Sequence, residues 1–524
     1  MEIPNILIVS DLHLSRGYYT PEADAEHGGH YSELEDFFAD EAFFDFVAGH
    51  IAQGGRWRLI LNGDVVDFLQ VVDWPTDPQM LATLRERVMR EGRDWKAWKA
   101  NKSRYGLGTT AIETGWKLEQ IAAGHPVFFM SLAYMLAQGH EVIIISGNHD
   151  IEWYWPQVQA QMRDLVRRAY RPQAIERRLA GQGARSGRRK SASRRGAALD
   201  DDALQRLRFY PRFYYIPDLL YVEHGCQYDV SNSFPDMFDP VLPADHTLPP
   251  EQQRIELPLG SFFVRYFFNL VEQSSPFADN IKPILRYLKW AVRRQPAWVV
   301  RMLLTQCQVA QVIWRRLSQI HRSRIEAQAH LAAKLAPAQS NDAYRSLDVD
   351  DPAACVLGLR RLETQLFKSR PPILYVEPRH WFNATSGFSL NVLYRAAKAI
   401  QGMLKQQGVN ARYFVLGHDH NADVKPIPGS DAWYYNTGTW AFIEGEQDRF
   451  FRETRELTFV KIMPGAEQEA QLLRWNDSAR RSERVILMTT SRTSGAGGKI
   501  WGVALLLGGL ALLAMLVKKW RRKK

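Results

Sequence analysis

Three observations predict an α/β fold for this chain. Five short apolar runs each end in small and polar residues, as buried strands do at the ligand-binding carboxyl edge of a sheet. Each run delivers histidine, aspartate or asparagine to that edge. Stretches with helical spacing lie between the runs. A chain of 524 residues also exceeds one ordinary core, so insertions or a second domain are expected.

The first run, Ile6-Leu7-Ile8-Val9, leads into Ser10-Asp11-Leu12-His13. The N-terminus enters this strand at once, which leaves no room for a secretory signal peptide. Leu34, Phe37, Phe38, Phe43, Phe44 and Phe46 suggest a helical stretch packing on the sheet, so residues 1–68 read as a βαβ start. His27 and His30 precede it and read as surface residues, with a place facing a substrate as the alternative. The second run, Leu59-Ile60-Leu61, leads into Asn62-Gly63-Asp64-Val65-Val66-Asp67. Residues 69–140 exceed what a simple crossover needs. Within them Arg85 to Trp98 reads as a charged helix with Trp95 and Trp98 on a packing face, and Phe128 to Gln138 as a second helix. The third run, Val142-Ile143-Ile144-Ile145, leads into Gly147-Asn148-His149-Asp150.

Residues 181–202, rich in Gly, Ser, Ala and Arg, read as a flexible solvated loop, or as a contact to anionic lipid or nucleic acid. The fourth run, Leu219-Leu220-Tyr221-Val222, leads into Glu223-His224-Gly225. The span that follows, about 250–365, reads as helices: Phe262 to Val271, Ile281 to Arg294, Trp298 to Leu335, and Asp351 to Lys368. Aromatic and basic residues alternate there at helical spacing. Such a basic amphipathic insertion can lie on a membrane, or form a cap with its own small core.

The fifth run, Tyr413-Phe414-Val415-Leu416, leads into Gly417-His418-Asp419-His420. Asn436-Thr437-Gly438-Thr439 comes next, and Leu457 to Met463 and Leu472 to Trp475 read as closing strands of a second sheet. Residues 476–499 read as a linker. Residues 500–517 carry no charge over eighteen positions, just long enough to span a bilayer, with Trp501 and Trp520 as interface anchors. The basic tail is 518–524. The expected organisation is a core in two parts, 1–240 and 371–475, interrupted by a mainly helical insertion at 241–370.

Net charge and cysteines narrow the class. Six basic residues lie between Arg185 and Arg195 and six more in the tail; without these twelve the net charge of +10 becomes −2. Positive charge is thus segregated into separate segments and the ligand-bearing body is acidic. That disfavours a nuclease with a basic catalytic groove. Cys226, Cys307 and Cys355 are few, odd in number and far apart, which fits a reducing compartment without structural disulfides.

The order D-x-H, G-D-x-x-D, G-N-H-D, H-G and G-H-x-H, each after an apolar run, resembles the calcineurin-like metallophosphoesterase family from the first strand to about residue 465. The resemblance implies a four-layer αββα sandwich with its metal site at the strand ends. It implies that Asp11, His13 and His420 hold one metal, that Asn148, His224 and His418 hold a second, and that Asp64 bridges them. His149 would stand over the phosphate, stabilising the transition state or protonating the leaving oxygen, and Asp67 would orient it. Asp150 reads as a possible helix N-cap. The mixed nitrogen and oxygen set suits Mn2+, with Fe or Zn2+ as alternatives, better than Ca2+.

The implied activity is hydrolysis of a phosphoester or pyrophosphate bond by a hydroxide activated between two metals. The opening Ser10-Asp11-Leu12-His13-Leu14 is similar to the UDP-diacylglucosamine pyrophosphatases. Those carry arginine where His149 stands and are much shorter, so that activity is not assigned. Protein phosphatases have Arg-Gly where this chain has Phe68-Leu69. An anchored enzyme with a basic, aromatic insertion points to a substrate at the membrane surface, with the body in the cytoplasm. Two other classes stay open: a nuclease or cyclic-nucleotide phosphodiesterase of the same fold, and a non-catalytic, metal-bound membrane scaffold. The oligomeric state stays open as well.

Overall fold

The computed structural model describes residues 3–19, 29–186, 199–229, 232–234, 236–269, 392–406, 408–441, 443–447, 450–454 and 456–485. Its strands are β1 Asn5–Val9, β2 Tyr18–Tyr19, β3 His30–Tyr31, β4 Trp57–Asn62, β5 Glu141–Ile145, β6 Leu207–Tyr210, β7 Phe213–Ile216, β8 Leu220–Glu223, β9 Tyr413–Leu416, β10 Asp423–Pro426, β11 Trp433–Asn436, β12 Ile443–Gln447, β13 Phe450–Thr454, β14 Thr458–Ile462, β15 Ala470–Asn476 and β16 Arg481–Arg484.

The chain is a mixed α/β structure. One sheet has the order β16-β15-β14-β1-β4-β5-β6 and a second has β10-β11-β9-β8-β7. Strands β1, β4, β5 and β6 run parallel, so their carboxyl ends share one edge. In the second sheet β8 and β9 are also parallel. The aliphatic runs are continuous because both faces of each strand are covered. Leu7, Val9, Leu59, Leu61, Val142 and Ile144 pack into one cluster with Phe43 and Phe46 of the helix Asp40–Ile51. Ile6, Ile8, Ile60, Ile143 and Ile145 pack into another, with Tyr221 of β8 and Phe414 of β9. Strand alternation thus splits each run between two cores.

Several expectations change in detail. The helix predicted from Leu34 onwards begins only at Asp40. Glu35 explains this: its carboxylate accepts the N–H of Phe37 at 2.8 Å and of Gly17 at 2.6 Å, holding the preceding turn out of the helix. The single helix expected from Arg85 to Trp98 is two, Pro78–Arg90 and Trp95–Tyr105. Asp94 caps the second by accepting from Ala97 N at 2.7 Å. Trp95 and Trp98 do pack, with ring centroids 5.4 Å apart and Trp74 alongside.

The closing strands expected in a second sheet belong to the first. Strand β14 pairs antiparallel with β1, and β15 with β14. An apolar run fixes a strand but not its partner, so the sequence could not distinguish the two sheets. Strand β16 pairs with β15, so the sheet reaches into the stretch read as a linker. Part of the loop expected at 181–202 is helical: Pro172–Ser186 extends into it, and Asp200 caps Asp201–Gln205 by accepting from Ala203 N at 2.8 Å. His30 is exposed, as expected, whereas His27 lies outside the described residues.

Also outside them are 187–198, residues 270–391, which hold most of the expected insertion and the start of the second core part, and everything from 486 on, including the apolar segment 500–517. Among the described residues no single helix is long and apolar enough to cross a membrane. The apolar pair Ala111–Gly124 and Pro126–Ala137 is bent by 93°. Its Leu118, Ile121, Phe128 and Leu132 lie in the core.

Candidate metal centre

Five loops meet above the carboxyl ends of β1, β4, β5, β8 and β9. They carry Asp11 and His13, Asp64 and Asp67, Asn148 and His149, His224, and His418 and His420 respectively. Backbone bonds tie the first two loops together: Asp11 N donates to Gly63 O at 3.1 Å, and Leu12 N and His13 N both donate to Asp64 O at 2.9 Å.

The backbone here is bent into an unusual state. Asp11, His13, Asp64, His418 and His420 have φ of 53°, 55°, 49°, 73° and 59°. They are five of the eight described non-glycine residues in the left-handed region. Such residues cost about 1–3 kcal/mol each and persist only where the surroundings over-determine them. Thr439 is one such constraint, since its Oγ1 donates to Asp11 O at 2.7 Å. The bending turns these side chains towards one another. It also leaves no room at the motif glycines. A Cβ on Gly147 would lie 2.1 Å from Asp64 Oδ1, and one on Gly417 would lie 2.7 Å from Asp11 Oδ2.

Asp64 stands at the middle. Its Oδ1 accepts from His149 N at 2.8 Å. Its Oδ2 lies 3.1 Å from His224 Nε2 and 3.8 Å from His13 Nε2. Three groups have candidate ligand atoms within 4.8 Å of one another: Asp11, His13 and His420; Asp64, His224 and His418; and His13, Asp64 and His149. The first has the residues expected for one metal; the second has His224 and His418 of the other expected set together with Asp64, and Asn148 is in none of the three. His149, in the third group, has its Nδ1 2.5 Å from Asp67 Oδ2, the orienting contact expected for a residue that is not a ligand.

The donor set fits a divalent cation. His13 Nε2 and Asn148 Oδ1 are buried and make no hydrogen bond. Orphaned polar atoms at this depth normally cost about 1–3 kcal/mol each, and coordination would satisfy them. The field favours positive charge. Burial raises the Asp64 carboxyl, but His224, His149 and His13 outweigh it and hold its pKa well below the ordinary value. Burial lowers His224, but Asp64 and Asp11 outweigh it and hold its pKa up at about 9. The carboxylates that favour a proton on His224 would equally favour a cation in its place. Nitrogen and oxygen donors without thiolate exclude a site built for soft metals; Cys226 is buried and its thiol is pushed well up by burial and by Asp64.

Five contacts were not foreseen. Asp67 Oδ2 also lies 3.4 Å from His13 Nδ1, so one carboxylate orients both His149 and His13. Asp150 makes no side-chain cap. Its carboxylate accepts from Gly147 N at 2.6 Å and Val65 N at 2.8 Å, binding the second and third loops together. The first residues of the insertion reach the centre: Ser261 Oγ donates to Asn148 O at 3.0 Å, and Asn269 Nδ2 to Leu69 O at 2.7 Å. No family model matches this chain, and no curated protein does.

Proposed function

We propose that this chain is a metallophosphoesterase of the calcineurin-like kind, which hydrolyses a phosphoester or pyrophosphate bond. The observation that carries this reading is the left-handed cluster of Asp11, His13, Asp64, His418 and His420, with Asp64 Oδ2 between the imidazoles of His13 and His224. In it, Asp11, His13 and His420 would hold one divalent cation, Asn148, His224 and His418 would hold another, and Asp64 would serve both. Mn2+ is the favoured metal, with Fe or Zn2+ as alternatives. When bound, such a pair supplies positive charge for the phosphoryl oxygens and lowers the pKa of water. The chain's own residues supply the rest. Asp67 fixes the ring of His149 through Nδ1, so Nε2 is the nitrogen that can pass a proton to a leaving oxygen. The His149 side chain is 14% exposed, so a substrate can reach it from solvent.

The finer architecture belongs to the same proposal. The two sheets form the inner layers of a four-layer αββα sandwich. The split of β1, β4 and β5 side chains between two cores supports this, as does the helix Val392–Gln406, whose Ala397 and Ile400 pack in the core shared with β8 and β9. The charge-free segment 500–517 supports a C-terminal membrane anchor, and with it a membrane-associated substrate.

Mn2+-dependent hydrolysis of a chromogenic phosphodiester and its monoester by the detergent-solubilised protein tests the reading. An Asn148→Ala, His149→Ala double variant serves as the blank. Hydrolysis that disappears in the blank is expected. Equal rates in the two proteins, with metal bound to the wild type, would overturn it and favour a scaffold.

A further inference from the structure

Beyond the metal-facing side chains lies a short polar chain that begins at His418 and ends at Asn148. His418 Nε2 is 3.2 Å from Asp229 Oδ2. Asn232 Nδ2 donates to the same Asp229 oxygen at 2.8 Å. Asn148 Nδ2 in turn donates to Asn232 Oδ1 at 3.5 Å. Asp229 and Asn232 lie in the turns after the 3-10 turn Cys226–Tyr228, where Asp229 N donates to Cys226 O at 3.1 Å and Asn232 N to Asp229 O at 3.0 Å. The backbone therefore holds the two side chains side by side.

The chemistry of this chain has a direction. An ionised carboxylate only accepts hydrogen bonds. Asp229 therefore requires the hydrogen of His418 on Nε2, which leaves Nδ1 as the nitrogen with a lone pair. It also requires the amide nitrogen of Asn232 to face it, which turns the carbonyl oxygen of Asn232 outward. That oxygen accepts from the amide nitrogen of Asn148. The remaining atom, Asn148 Oδ1, is left buried without a hydrogen bond. One carboxylate thus sets the tautomer of one candidate ligand and the amide orientation of another. On the two-cation reading both serve the same subsite; His418 groups with Asp64 and His224, whereas Asp11, His13 and His420 form a different group. Asp229 itself is in none of the three groups of candidate ligands.

We infer that Asp229 and Asn232 are positioning residues for the second cation subsite. Asp229 fixes His418 as an Nδ1 ligand, and Asn232 relays its polarity so that Asn148 presents Oδ1. The inference rests on the two-cation reading above. Outer partners of this kind are typically worth about 10–100-fold in metal affinity.

The test is a calorimetric Mn2+ titration of the full chain in detergent, with the bound metal counted after dialysis and apo-protein Tm measured in parallel. Wild type is expected to take up two equivalents. In Asp229→Asn and in Asn232→Ala one equivalent should weaken by about 10–100-fold while the other keeps its affinity. Asp229→Glu, which retains the acceptor-only group, should recover part of the loss. Two equivalents of wild-type affinity in both variants would overturn the inference. So would loss of both equivalents together with a fall in Tm, the mark of a general structural role. Wild type binding fewer than two equivalents, with Asn148→Ala binding as many, would overturn the two-cation reading and this inference with it.

Discussion

His125 and His13 are both buried beside carboxylates, 0% and 6% exposed, yet their surroundings differ at every point. His125 Nδ1 meets Asp40 Oδ2 at 3.0 Å and Nε2 meets Glu35 Oε2 at 3.1 Å, so both ring nitrogens are engaged. Its φ is −123°, outside the left-handed region. Glu35 is further occupied by Ser15 Oγ at 2.8 Å and by the N–H groups of Gly17 and Phe37. His13 keeps one ring nitrogen on Asp67, leaves Nε2 without a hydrogen bond, and sits at φ 55°. A buried histidine next to an acid is therefore no site by itself. Unsatisfied donors converging from a strained backbone distinguish the candidate metal centre from the closed cluster at His125.

The largest effect should come from opening the closed cluster. Removing one partner of a buried pair leaves an uncompensated charge, so Glu35→Ala should lower stability by about 3–5 kcal/mol in urea unfolding while leaving Mn2+ uptake by the folded fraction unchanged. The pH dependence sharpens the point. Burial lowers the pKa of His125, but Glu35 and Asp40 outweigh it and raise it to about 10. A raised pKa stabilises fully below the unfolded value of about 6.5 and loses that contribution as pH climbs through the folded one. The stability advantage of wild type over His125→Gln should accordingly shrink between about pH 6.5 and 10.

The open cluster should behave the other way. Mn2+ at about a hundred times its Kd should stabilise wild type by about 2.7 kcal/mol for each site filled, seen as a rise in Tm. Asp64→Ala should lose most of that rise. Relieving strain should help the apo protein: His420→Gly is expected to gain about 1 kcal/mol of apo stability and to lose affinity for one cation equivalent. A destabilised apo His420→Gly would show that the left-handed turn is not a source of strain. The smallest effect is expected at the tether from the insertion. Ser261→Ala should cost about 0.5–1.5 kcal/mol, measured by urea unfolding, through loss of its bond to Asn148 O.

The candidate metal ligands could be named from the sequence because each follows an apolar run within a few positions. A strand end fixes where such a side chain goes even when its partners are hundreds of residues away. Asp11 and His420 are the example, with their oxygen and nitrogen 3.3 Å apart. The residues behind them were not legible. Asp229 and Asn232 lie in turns with no periodicity, and their role follows only from the direction of hydrogen bonds in space. Asp67 was read as the partner of His149, but nothing in its spacing showed that it also reaches His13. His125 gave no signal at all, since it lies between two helices and its acids come from a distant turn and helix end. Strands β14 and β15 were visible as strands, but the sheet they join depends on the pairing of β14 with β1.

The account stands or falls on Asp64 serving two cation positions at once. Crystals of the protein soaked in Mn2+ and measured at the manganese edge would test this directly. The account predicts two anomalous peaks about 3.5–4 Å apart, one on each side of Asp64. The one towards His13 should also touch Asp11 and His420, and the one towards His224 should also touch His418 and Asn148. A single peak, or peaks that leave Asp64 outside the coordination of either ion, would contradict it.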